Sequence, residues 1–212
     1  MNTQELIESL GRDVRPVPRH SVERKIAFAL ILGIIGSIAL IVATLGVRPD
    51  LSVAMAGADF WVKWIYTASL AIIAAGLTFR LARPEGATFA RWWLAIPVVL
   101  IALIGIAELA AAPPSHWLSM WLGRTASKCP FLVFGLSIPI LGCLLWSMRR
   151  LAPTRLAAAG AAAGLTAGAF AATVYCLHCP ETSAVFVLTW YSLGIAFATG
   201  VGALLGPRLL RW

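Results

Sequence analysis

The chain has 212 residues, of which 60% are hydrophobic and only 12% charged, and its formal net charge is +8. Soluble domains carry about 25% charged residues, so an ordinary soluble globular fold is excluded. The basic excess does not describe a nucleic-acid binder either: the cations lie in short segments beside apolar runs and form no domain of their own, so no direct contact with nucleic acid is expected.

Residues 1–25 form a polar tail ahead of the first apolar run. Leu6, Ile7 and Leu10 share one face of a short helix, Asn2 and Glu5 have the spacing of a capping box, and Gly11 is placed to stop the helix. Asp13, Val14, Pro16, Val17 and Pro18 follow as an extended piece, because proline fixes its own backbone and biases the preceding residue away from helix. Such a short helix is marginal alone in water. Its apolar stripe needs a surface, either a groove on a protein partner or the face of the lipid bilayer.

Six spans follow, at about 26–47, 61–81, 92–112, 129–148, 156–177 and 184–207, within a transmembrane domain covering 26–212. The runs 26–47, 129–148, 156–177 and 182–207 carry no charge, and 64–79 and 92–107 are charge-free cores extended by apolar flanks. About 20 apolar residues cross roughly 30 Å of hydrocarbon as a helix. None of the runs keeps the polar face of a helix packed on a soluble core, and none alternates as barrel strands do. The fold class is an all-α membrane protein, a six transmembrane helix bundle. The first span is too long for a signal-peptide core and five more follow, so it reads as an uncleaved anchor. Pro97 and Pro139 are expected to bend spans three and four.

Of the seventeen Lys and Arg residues, Arg48, Lys63, Arg124 and Lys128 fall on one side of this map, and the others lie in both termini and in the second and fourth loops. Positive residues stay cytoplasmic, so both termini are cytoplasmic. Trp61, Trp64, Trp92, Trp93 and Trp146 fall at span ends, where aromatic belts form.

This topology puts Cys129 at the outer end of span four, and Cys176 and Cys179 of the stretch VYCLHCPE at the outer end of span five. Cys143 lies about 21 Å deeper along span four and reads as a small apolar filler. Haem attachment needs C-x-x-C-H, whereas His178 lies inside the pair and Pro180 follows it. Cys129, Cys176, His178 and Cys179 offer zinc the right ligand types, but adjacent His178 and Cys179 poorly share an ion with Cys176, so no stable metal site is expected. Several readings stay open. They are transient capture of a soft metal by thiolates, a Cys129–Cys179 or Cys129–Cys176 disulfide, a Cys176–Cys179 bond within a turn, and plain loop thiols. A disulfide needs α-carbons about 5.5 Å apart. No cofactor is expected.

Gly160, Gly164 and Gly168 in span five, and Gly202 and Gly206 in span six, recur every four residues. That spacing returns to one helix face and admits a second backbone at close range. The seams join spans five and six or two protomers of a homodimer. Glu108 is the one acidic residue within a span, near its outer end; it is an interfacial carboxylate or a proton or cation site. The spans otherwise have almost no polar residues at mid-depth, which disfavours a transporter.

The segments LIESLGRDVRPV near the start, SKCP before span four and HCPETSAVFVLTWYSLGI leading into span six, with six spans around them, resemble the NrsF family of membrane anti-sigma factors. The resemblance covers essentially the whole chain. It implies a multi-pass protein of the bacterial inner membrane that is not an enzyme. Its cytoplasmic tail would sequester an extracytoplasmic-function sigma factor, and periplasmic cysteines would sense oxidant or heavy-metal stress. Carried over by position, the sensing pair is Cys129 and Cys179, with Cys176 an addition to the family's usual pattern and His178 beside it. The sigma-binding element is Leu6, Ile7, Leu10, Asp13, Val14, Pro16 and Val17. The rival is a membrane thiol/disulfide oxidoreductase linked to quinone. Lys128 and Arg124 near Cys129 would suit a reactive thiol, but that reading leaves the tail without a use.

Overall fold

A computed structural model describes residues 2–12, 20–83, 91–151 and 153–211. Every regular element among them is helical. The helices are α1 (Thr3–Arg12), α2 (Ser21–Thr44), α3 (Leu51–Ala56), α4 (Ala58–Leu81), α5 (Ala95–Ala111), α6 (Pro114–Leu122), α7 (Cys129–Met148), α8 (Leu156–Tyr175), α9 (Ala184–Phe186) and α10 (Ser192–Leu209). A 3₁₀ turn, Arg91–Leu94, leads into α5, and a π turn, Val187–Tyr191, joins α9 to α10.

Six of these segments are long and apolar enough to cross a membrane: Ser21–Thr44, Ala58–Leu81, Trp92–Ala111, Cys129–Met148, Leu156–Tyr175 and Ala184–Leu209. α3 and α6 are short helices in the loops between spans, and neither contains a buried residue. Helix α1 runs through Gly11 to Arg12 rather than stopping at the glycine. Its start has half of the anticipated box: the Asn2 backbone N–H donates to Glu5 Oε2 at 3.1 Å.

The bundle is organised around α8, which packs against α10, α4 and α7, while α2 lies mainly on α7. About 67% of the spanning window of α8 is buried, against 17% for the span containing α5, so α8 is the centre and α5 the lipid-facing edge. Composition explains the difference. Alanine and glycine let α8 be approached from all sides, whereas α5 presents Val99, Leu100, Leu103 and Ile106 outward.

A Cβ added to Gly160 would lie 2.2 Å from the Gly202 carbonyl oxygen, one on Gly164 2.2 Å from the Ala198 oxygen, and one on Gly206 2.3 Å from the Leu156 oxygen. The glycine rows of α8 and α10 therefore lie against each other within one chain. α2 meets α7 as closely, with Gly33 under Ile140 and Gly36 beside Pro139. Pro139 is inside α7, whereas Pro97 falls in the first turn of α5, where a missing N–H breaks no helical bond. Two hydroxyl pairs tie α4 inward: Thr78 to Thr166 of α8 at 2.9 Å, and Tyr66 to Ser192 of α10 at 2.7 Å.

At the end of the bundle where α8 stops and α7 begins lie Arg48, Lys63, Arg124 and Lys128. Arg48, Lys63 and Arg124 bond to the 177–181 segment, and Lys128 precedes α7. Arg80, Arg149 and Arg208 lie at the opposite helix ends.

Candidate functional site

The chemistry-bearing residues gather where α8 ends and α7 begins. Past Tyr175 the chain makes one further turn: Leu177 N bonds Val174 O, and His178 N and Cys179 N both bond Tyr175 O. Pro180 then cannot continue the helix. Three residues of helix-like backbone put Cys176 and Cys179 on one face. Cys129 opens α7, with its N–H bonded to Thr125 O at 2.9 Å and Pro130 in the first turn, a position proline favours.

Cys129, Cys176 and Cys179 are fully buried, and all are free thiols. The Cys129 and Cys179 thiols are close enough to act on each other. The neighbouring Cys129 thiol holds the Cys179 thiol well below its ordinary value. Tyr191, the Glu181 backbone N–H and the charge of Lys63 act the same way, against burial. Cys176 differs: burial pushes it up to about 11, while its Sγ donates to Ala172 O at 3.3 Å and meets Thr67 Oγ1 at 3.9 Å. The buried Tyr191 hydroxyl has no well-formed hydrogen bond, yet it lies close enough to both thiols to act on them. The π turn carries it there; such turns recur at functional sites.

Three side chains fasten this cluster. Lys63, in the second turn of α4, is 1% exposed. Its Nζ donates to the carbonyls of Cys179 at 2.8 Å and Glu181 at 3.0 Å, and lies 5.7 Å from the centre of the Phe60 ring. The Glu181 carboxylate accepts from Arg124 N at 2.7 Å and Thr125 Oγ1 at 3.3 Å. Glu181 thereby joins the segment after Cys179 to the loop before Cys129. Gly123 makes room for it: its φ is +52°, and a Cβ there would lie 2.6 Å from the carboxylate. Arg48, paired with Asp50 through Nε–Oδ1 at 2.7 Å, reaches the Cys179 carbonyl at 3.4 Å.

His178 is turned to a different use. Its Nδ1 bonds the Gly46 carbonyl at 2.9 Å beyond the end of α2, and its ring lies against Tyr175. Among the described residues no group of three or more His, Cys, Asp and Glu is arranged to hold a metal ion. Cys143 is apart from the cluster, deeper in α7. The Glu108 carboxylate accepts from Ala184 N at 2.8 Å and Ser183 Oγ at 3.2 Å, capping the helix that leads to Tyr191.

In the tail, Leu6 and Ile7 of α1 are 40% and 64% exposed. Asp13, Val14, Pro16 and Val17 lie outside the described residues, as does the side chain of Leu10. The tail enters the bundle at Ser21, where Glu23 of α2 pairs with Arg83 just past α4.

Lys63, Glu181 and Tyr191 are the site residues that sequence reasoning does not reach. Lys63 had the clearest signal, being a cation inside an apolar segment; such a residue marks function by default. Treating it as a loop charge hides that.

The fold and the thiol cluster define a helical polytopic membrane protein with an amphipathic amino-terminal tail. The chain belongs to the NrsF family: residues 10–212 match the family profile described as "Negative regulator of sigma F". Over its full length it is 40% identical to the whole of the probable anti-sigma-F factor NrsF of Azospira oryzae and 37% identical to the whole of the anti-sigma-F factor NrsF of Caulobacter vibrioides. These relatives are negative regulators of a sigma factor, which points to a regulatory role. No solved structure matches the chain.

Proposed function

We propose that the protein is an anti-sigma factor of the bacterial inner membrane with both termini in the cytoplasm. Its tail sequesters an extracytoplasmic-function sigma factor and releases it when Cys129 and Cys179 meet an oxidant or a thiol-seeking heavy metal in the periplasm. The observation that carries this reading is the Cys129–Cys179 contact. The thiols of Cys129, at the start of α7, and Cys179, just past α8, are buried together and close enough to act on each other, at the end of the bundle opposite the point where the tail enters. Oxidation removes two electrons and two protons from the pair, passes them to the oxidant and forms one S–S bond. A soft metal ion instead displaces the two protons and bridges the sulfurs.

The tail supports the reading through its exposed Leu6 and Ile7, suited to a groove on a folded partner. The sigma-binding element is Leu6, Ile7, Leu10, Asp13, Val14, Pro16 and Val17. Reversing a 99:1 population takes about 5.5 kcal/mol, within reach of a covalent bond or a two-thiolate metal complex. Co-purification with candidate sigma factors, with and without residues 1–20, tests the tail: capture by the full chain and none by the truncated one is expected. Capture by both overturns the assignment.

A further inference from the structure

Lys63 presents an electrostatic problem. Its ammonium is buried, and burying a charge is costly unless it is paired. Two backbone carbonyls satisfy its donors, but among the described residues no carboxylate stands within ion-pair distance of it. The acids that face it are thiols. Its charge acts on Cys179 and Cys176 alike, and Cys179 is the one whose carbonyl it also holds. Glu181 offers Lys63 only its backbone carbonyl, because the carboxylate is taken by Arg124 N and Thr125.

We infer that Lys63 is the positioning residue of the thiol site: its ammonium ties the backbone of residues 179–181 to α4 and is the countercharge for Cys179 as a thiolate. This rests on the reading of Cys129 and Cys179 as the sensing pair and assigns to a third residue the choice of which thiol reacts first. The clamp fixes the Cys179 backbone, so the sulfur meets Cys129 rather than turning away. The charge favours the anion, and the thiolate is the reacting form of a cysteine. Cys176, lacking the clamp and donating its proton to Ala172 O, stays a thiol. The groups facing Cys179 are Cys129 from α7, Tyr175 and Cys176 from the end of α8, Tyr191 from the π turn, Glu181 in its own loop, Lys63 from α4 and Arg48 after α2. Lys63 and Arg48 are the cations among them.

The test is the pH profile of Cys179 alkylation in the detergent-solubilised full chain, read by mass spectrometry, beside the rate of Cys129–Cys179 disulfide formation by diamide. That oxidation forms one S–S bond and passes two electrons and two protons to the azo nitrogens. Lys63→Gln keeps a donor for a carbonyl but loses the charge, and should move the Cys179 alkylation profile to higher pH, slowing alkylation about tenfold at pH 5, below the profile's midpoint, equivalent to one pKa unit. Disulfide formation should slow with it. Lys63→Arg keeps the charge and should restore most of both rates.

An unchanged profile in Lys63→Gln overturns the assignment, and so does an equal loss in Lys63→Arg. Should Lys63→Gln not fold, Cys129→Ala decides: Cys179 still titrating below an ordinary thiol without its Cys129 neighbour supports the assignment, and Cys179 titrating at or above an ordinary thiol overturns it. Sigma release is measured separately. A shifted profile with unaltered release supports the assignment of Lys63 while removing the sensing role of the thiols.

Discussion

Gly160 and Gly202 face each other so closely that a Cβ on either would lie 2.2 Å from the other's carbonyl oxygen. Backbone, not a movable side-chain tip, is the obstacle, so neither position can take a larger residue without separating α8 from α10. Gly160→Leu is therefore expected to lower stability by at least the 1–3 kcal/mol typical of overpacking. Gly200→Ala, where nothing lies within 4 Å, should be nearly neutral. Fluorescence-detected size exclusion after heating compares the two.

The environments of Cys179 and Cys176 pull their thiols in opposite directions. Cys179, favoured as an anion by the Cys129 thiol and opposed by burial, should begin to alkylate below the ordinary thiol range, near 8.5. Its rate rises as pH climbs through the lowered value and then levels. Cys176, pushed up to about 11 by burial, should still be gaining reactivity where Cys179 has stopped. Peptide-resolved alkylation between pH 5 and 10 checks the order, and the reverse order contradicts it.

Two carboxylates near the thiols hold backbone amides. Glu108 holds Ala184 N and Ser183, and Glu181 holds Arg124 N. Loss of a capping side chain costs about 1 kcal/mol. Glu108→Ala and Glu181→Ala should each lower thermal stability by that order, but only Glu181→Ala should slow Cys129–Cys179 disulfide formation, because it alone joins the segments carrying the two thiols. Diamide cross-linking of the two variants separates the effects.

Hydropathy carries the six spans openly, since a segment such as Ser21–Thr44 is apolar regardless of its neighbours. α3 and α6 are too short to carry a period against that background. The π turn at Val187–Tyr191 depends on packing that local pattern does not encode. The spacing of Gly160, Gly164 and Gly168 marks a close seam, but the choice between α10 and a second protomer requires the fold. Cys129 and Cys179 are readable as residues, and their meeting is not. Lys63 stands out as a cation in an apolar segment, but its partners do not, because they are backbone carbonyls more than a hundred positions away, which leave no side-chain signature.

Glu23 and Arg83 link the root of the tail to the far end of α4, the helix that carries Lys63. Both are partly exposed, so the pair contributes below about 1 kcal/mol to stability. Arg83→Glu should leave the melting behaviour nearly unchanged yet raise release of the tail's partner without stress, and Glu23→Arg with Arg83→Glu should restore retention. Partner retention on immobilised full-length protein reads both variants.

On the proposed reading, chemistry on the thiols governs what the tail holds. The most direct measurement loads the full chain in proteoliposomes with its sigma factor, then adds diamide or cadmium and follows sigma factor released. Release from the unsubstituted chain, with capture intact but release abolished in the Cys129→Ser, Cys179→Ser double variant, is the predicted result. Equal release from both, or none from the unsubstituted chain once mass spectrometry shows the two thiols modified, contradicts the account.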